Sequence, residues 1–211
     1  MSLIRYLAVD VLRGQRWMAP LLTFLVACTL LDAGGGPVLG DYGSTAAVLL
    51  PVTLWLTIVV NQNEDPIQNS ITVVTAGGAT RVRLAKLAVA FLGAAAMGAF
   101  AVLWPLLVKH EVDPGAGALA HLSTAVVGVG VGALLSRPVL RKTAWAVLIA
   151  TAVTLGEILI PHCPPGRQIL SRLGADHPHD VAATLLLITL ESLALGGIAA
   201  LCADRLARLH S

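Results

Sequence analysis

The sequence predicts an all-α membrane protein: an N-terminal amphipathic interfacial helix (1–16) plus six transmembrane helices, N-in/C-in, forming one transmembrane domain over residues 1–211. Three observations carry that prediction. Of 211 residues, 56% are apolar and only 12% charged, whereas a soluble domain runs near about a quarter charged. The apolar residues come in long blocks, and roughly 18 or more such residues as helix cross about 30 Å of hydrocarbon while satisfying their own backbone hydrogen bonds. The basic residues, finally, alternate in density from one connection to the next.

The first segment, Leu3 to Trp17, places Leu3, Ile4, Leu7, Ala8, Val11 and Leu12 at helical spacing, with Arg5, Asp10, Arg13 and Arg16 on the opposite side. That pattern suits a helix lying in the interface, its arginines toward anionic headgroups; a solvated helix leading into the first span is the alternative. A charged, patterned start without a convincing small-residue cleavage site argues against a leader peptide.

Six blocks follow, at 17–33, 44–60, 84–108, 115–135, 143–160 and 181–202. Between the first two, AGGGPVLGDYG reads as a loop whose glycines and proline do not continue a helix. Pro51 and Pro105 are tolerable kinks in a packed bundle. GVGVG at Gly128–Gly132 contains a GxxxG spacing that lets two helix backbones approach closely, and Gly196 and Gly197 suit similar packing. It is not a dinucleotide fingerprint, because no strand precedes it.

Orientation follows from lysine and arginine. With the N-terminus inside, the cytoplasmic segments hold Arg5, Arg13, Arg16, Arg81, Arg83, Lys86, Arg137, Arg141, Lys142, Arg205 and Arg208, eleven of the 14 basic residues. The outer segments hold Lys109, Arg167 and Arg172 beside six acidic residues. Adding or removing one span would scramble this alternation. The net charge of +2 gives no reason to expect a nucleic-acid partner, and Cys28, Cys163 and Cys202 form no disulfide framework.

Two connections are long, 61–83 inside and 161–180 outside, and long connections in a compact bundle usually carry function. In the first, Asn63, Glu64 and Asp65 precede Pro66, a helix start with acidic residues at the positive end of the dipole. A short helix from Pro66 to Thr75, including Gln68, would end at Gly77 and Gly78. Thr80 would cap the next helix, whose first turn holds Arg81 and Arg83. Such a helix suits docking to a soluble partner; a solvated hairpin is the alternative. The outer connection holds His162, Cys163, His177 and His179, metal-ligand types whose spacing matches no closed zinc site. No metal is expected. Gln168 to Leu173 would form a short amphipathic helix at the outer interface.

Two carboxylates fall within spans, Glu157 and Glu191. An ionised carboxylate in hydrocarbon costs on the order of 3 kcal/mol on insertion scales, so each is expected to face the bundle, a cavity or a dimer seam, or to stay protonated. Glu157 lies within reach of water or Arg167. A translocation path and hydrogen bonding to a neighbouring helix are both open for each. Enzyme signatures (HExxH, GxSxG, a GxxxxGK[ST] phosphate loop) are absent, so this chain is not expected to hydrolyse ATP itself.

The amphipathic elbow, six spans, helical inner loop and helical outer excursion, with the run TAGGATRVRLAKLAVAFLGAAAMGA, resemble the permease subunits of type-2 ABC exporters. In place of the family's usual proline before the basic turn stand Gly77 and Gly78. The resemblance covers nearly the whole chain and rests on layout more than on one motif. It implies a separate ATPase subunit carrying ATP and Mg, a second permease subunit, identical or related, and a multi-pass location in a bacterial plasma membrane. Glu64–Thr75 would match the coupling helix, with Asn63, Glu64, Asp65, Pro66, Gln68, Arg81 and Arg83 at the ATPase. Arg137 and Arg141, in the loop Ser136–Lys142, would form a smaller contact, flanked by the elbow residues Arg5, Arg13 and Arg16. The stretch 161–180, with Arg167, Arg172, Glu157 and Glu191, would form the outer gate and substrate path. The competing readings are an ion- or proton-coupled carrier using Glu157 and Glu191, for which no inverted repeat is visible, and a non-transport membrane protein. With 4% aromatic residues, the spans select no cargo.

Overall fold

The computed structural model describes residues 2–32, 37–108, 113–137, 139–140, 143–160, 165–174 and 181–209. Those residues form helices and connecting turns, without strands: α1 (Leu3–Arg13), α2 (Met18–Asp32), α3 (Val38–Gln62), α4 (Pro66–Thr75), α5 (Ala79–Val108), α6 (Pro114–Leu134), α7 (Thr143–Leu159), α8 (Gly166–Leu173) and α9 (Val181–Leu209). Four of them, α3, α5, α6 and α9, are long and apolar enough to cross a membrane. Helices α1 and α2 pass the same test only as a pair bent by 76°. Helix α7, at 17 residues, falls just short. The described helices thus supply four spans outright and five with the bent pair, against the six expected.

The bend between α1 and α2 has local causes. Gln15 takes a positive φ of 54°, and the Trp17 indole N–H donates to the Leu12 carbonyl at 3.0 Å. Gly14 lies directly on the Asn63 side chain, where a Cβ would clash. Ser2 caps α1, and Leu7 and Val11 are its buried residues, packed with Val60, Ala85 and Val89. Ile4 and Leu12 remain exposed, so the apolar face of the elbow is split between the bundle and its surroundings.

Helix α6 is the centre of the bundle, held between α3 and α9 by its glycines. Gly128 and Gly132, four residues apart, rest on Thr53 and Thr57 of α3, while Gly130 meets the backbone of Gly196 on α9. The GVGVG run therefore serves two neighbours at once, and no side chain fits at the Gly130–Gly196 crossing. Gly197 has open space around it and does not share that packing.

Two boundaries differ from the sequence expectation. Residues 38–43, read as loop, form the first turns of α3. Tyr42 is fully buried among Ala46, Ala116, Ile169 and Leu185, and its hydroxyl donates to the Val102 carbonyl at 3.3 Å; Gly43 admits α8 close to the helix. Tertiary packing outweighs the local cost of glycine in a helix. Similarly, Thr80 is not a cap but lies inside α5, and α9 continues seven residues past Cys202. There the Arg208 guanidinium meets Asp204 at 2.6 Å, one turn away.

The helices gather two opposite ends. At one, which we call the basic end, lie α1, α4, the end of α3, the start of α5 and Asp204 of α9. At the other, α8 packs Ile169 and Leu173 against Tyr42 and Leu185.

Candidate functional site

The densest set of polar contacts sits at the basic end, around α4. Asp65 is its N-cap: its Oδ1 accepts the backbone N–H groups of Ile67 and Gln68, each at 2.8 Å, and Pro66 follows as the first helical residue. At the other end Gly77 and Gly78 take φ of 75° and 147°, conformations that glycine adopts without a Cβ penalty and that stop the helix. The helix expected from Pro66 to Thr75 is thus present with the same limits.

Glu64 turns inward rather than outward. Its Oε2 meets the Lys86 ammonium of α5 at 2.8 Å, with side-chain exposures of only 6% for Lys86 and 1% for Glu64. The Thr72 hydroxyl donates to Glu64 Oε1 at 2.7 Å, and Lys86 donates to Asn69 Oδ1 at 2.8 Å. Desolvating two charges is costly, and such a pair is retained only when the remaining valences are filled, as they are here. The result is that the start and the middle of α4 are clamped to α5. Two further contacts fasten it to α1: Asn63 Nδ2 donates to Asp10, and Gln68 Nε2 donates to the Tyr6 hydroxyl at 3.3 Å. Elbow, α4 and the first turns of α5 form one block.

The opposite face of α4 is apolar and open. Ile67, Ile71 and Val74 are 74%, 60% and 79% exposed, at the i, i+4, i+7 spacing of a single helical stripe. Nearby, Arg83 pairs with Asp204 at 2.9 Å, tying α5 to α9. Arg81 is exposed, its guanidinium donating to the Ala76 carbonyl at 3.4 Å. Arg5, Arg13, Arg16 and Arg137 are exposed as well, and Arg141 lies outside the described residues.

The proposed gate residues are not gathered into one site. Glu157 is buried on α7, and its Oε1 accepts the Gly166 N–H at 2.6 Å, so its partner is the start of α8 and not Arg167. Arg167 and Arg172 lie on the exposed side of α8. Glu191 is exposed on α9 among Leu187, Leu190 and Leu195, with no hydrogen bond or ion pair to another described residue. His162, Cys163, His177 and His179 fall outside the described residues, and among the described residues no cluster suited to a metal ion occurs.

Two features escaped the sequence. Lys86 reads there as a topology marker, although a lone lysine within LAKLAVAF was the available signal for a buried partner. His121, alone in the apolar run ALAHLSTAV, is 2% exposed; its Nδ1 lies 2.7 Å from the Gly117 carbonyl, its Nε2 3.1 Å from the Thr45 hydroxyl, and its ring meets Tyr42 edge-on.

The fold and these sites define a membrane-embedded helical protein. Comparison with protein families, curated proteins and solved structures returns no match.

Proposed function

We propose that this chain is the permease subunit of an ATP-driven exporter of the type-2 ABC class: six spans with both termini in the cytoplasm, residing in a bacterial plasma membrane. It pairs with a second permease subunit and couples to a separate ATPase through α4. The observation that carries this reading is the two-sidedness of α4. One face is locked to Lys86 by Asn69 and by Glu64, whose other oxygen accepts the Thr72 hydroxyl, and the other presents Ile67, Ile71 and Val74 outward. A helix built this way passes a push from a soluble partner directly into α1 and α5, because it has no slack of its own. Asp65 acts by capping that helix and Glu64 by anchoring it, so neither is a direct contact. The docking contacts are the apolar stripe with Arg81 at its end, and Arg137 makes a separate, smaller contact.

The test is recovery of the tagged chain from its host in mild detergent. The expected result is a stoichiometric partner carrying a phosphate-loop ATPase sequence. Replacing Ile67 and Ile71 together by aspartate should lower partner recovery by more than about tenfold, since two apolar side chains each contribute roughly 2 kcal/mol when buried, while insertion and helicity stay unchanged. Recovery of the wild-type chain alone in several detergents would overturn the reading.

A further inference from the structure

The bundle carries a groove that the coupling argument does not use. It lies between α3 and α7, has a volume of about 590 Å³, and is walled by Trp55, Ile58 and Leu155 with Thr154 alongside. Its basic end is closed by Arg16 and Gln62, and its far limit is Pro51. From Pro51 to Gln62 is about 16 Å of helix at 1.5 Å per residue, close to the roughly 15 Å of one leaflet's hydrocarbon. The groove therefore has the length of an acyl chain held parallel to the helices, and a cation where such a chain would carry its headgroup.

Among the basic residues at that end, Arg16 is the one that lines the groove. Lys86 is taken by Glu64, and Arg83 and Arg208 share Asp204. Arg16 has no acidic partner among the described residues. It is also positioned: the turn that bears it is fixed by the positive φ of Gln15, the seat of Gly14 on Asn63, and the Trp17–Leu12 hydrogen bond. A guanidinium presents a planar fork that holds a phosphate or carboxylate through paired hydrogen bonds. Trp55, 42% exposed, lies on the groove wall with an apolar body facing the space a chain would fill.

We infer that the α3–α7 groove is a binding site for an anionic amphiphile, its acyl chain along Trp55, Ile58 and Leu155 and its phosphate or carboxylate on Arg16. The occupant is an anionic phospholipid of the surrounding leaflet, whose thickness the groove matches, and the inference stands whether or not the chain transports anything.

The experiment uses the full chain in nanodiscs with Trp104 and Trp145 changed to Phe and Trp17 kept, because its indole holds the turn that bears Arg16; the Trp55 signal is read as the difference from the same chain carrying Trp55→Phe. Phosphatidylglycerol with brominated acyl chains is titrated against brominated phosphatidylcholine. The expected result is that phosphatidylglycerol quenches Trp55 at a severalfold lower mole fraction. Arg16→Gln should abolish that preference, Arg16→Lys should keep part of it, and Arg5→Gln should leave it intact. Equal quenching by the two lipids, or a preference untouched by Arg16→Gln, would overturn the inference and leave an ordinary lipid-facing furrow. Where the tryptophan-reduced chain does not fold, native mass spectrometry of the wild-type chain serves instead. Phosphatidylglycerol should stay bound to it and be lost from Arg16→Gln and from Thr154→Phe, which fills the groove; retention by both variants would refute the site. Added glycerol phosphate, lacking a chain, should not compete; competition would assign the site to a free anion rather than to an amphiphile and so would also overturn it.

Discussion

Glu64 and Glu191 are both carboxylates in an apolar chain, and the molecule treats them oppositely. Glu64 is enclosed at the basic end, with an ammonium and a hydroxyl filling its two oxygens. Glu191 stands on the open face of α9 among leucines, without a partner in the described residues. The first is a finished structural device, complete within one chain. The second belongs to a surface whose environment lies outside the chain, whether lipid or another span. Burial by itself therefore does not separate structure from function here; the completeness of the partner set does.

The largest effect is expected at the enclosed Glu64–Lys86 pair. Removing one member by Lys86→Ala leaves the Glu64 charge enclosed and unpaired, and loss of one partner of a buried pair costs about 3–5 kcal/mol. Detergent-unfolding midpoints and expression should fall together. The double variant Glu64→Gln/Lys86→Met should recover most of the loss, since no naked charge remains. If Lys86→Ala alone proves as stable as wild type, the clamp on α4 is not holding it.

A smaller effect is expected at the centre of the bundle. A methyl group on Gly130 meets the Gly196 backbone, whereas one on Gly197 meets nothing. Gly130→Ala should destabilise by about 1–3 kcal/mol, the usual cost of overpacking, and Gly197→Ala should be neutral or slightly stabilising through helix propensity. Equal effects at both positions would contradict the α6–α9 crossing. The same contrast separates Gly196 from Gly197, neighbours in LGGIA that look alike in the sequence: only Gly196 meets the α6 backbone.

What the sequence disclosed and what it concealed divide along the same physical line. Local signals were legible: Asp65–Pro66 and Gly77–Gly78 bracket α4 because caps and left-handed turns are decided within a few residues. Long apolar blocks marked the cores of the long helices. The amphipathic QILSRL run marked most of α8, within Gly166–Leu173. Contacts set by the three-dimensional path were not legible. Residues 38–43 are helical because Tyr42 and Gly43 have partners on α5, α6 and α8, and Glu64 meets Lys86 because α4 folds back against α5. Helix α9 outlasts its hydropathy because Asp204 pairs with both Arg83 and Arg208. Most of the candidate site's residues could be named from sequence; which of them face inward could not.

The smallest effect is expected at Glu191, and its smallness is informative. The residue lies ten positions into α9, about 15 Å from the helix start, near the middle of a bilayer whose core is about 30 Å thick. It stands on an open face, and no described residue bonds it. Glutamine matches glutamate in size and breaks no contact among the described residues. Glu191→Gln in the purified chain should therefore leave unfolding midpoints within about 0.5 kcal/mol of wild type, the range of substitutions away from specific contacts. Comparing that result with Glu64→Gln, which strands the Lys86 ammonium, measures how far the two carboxylates differ. A loss at Glu191 as large as at Glu64 would mean that the α9 carboxylate has a partner of its own, and that the difference drawn between the two carboxylates does not hold.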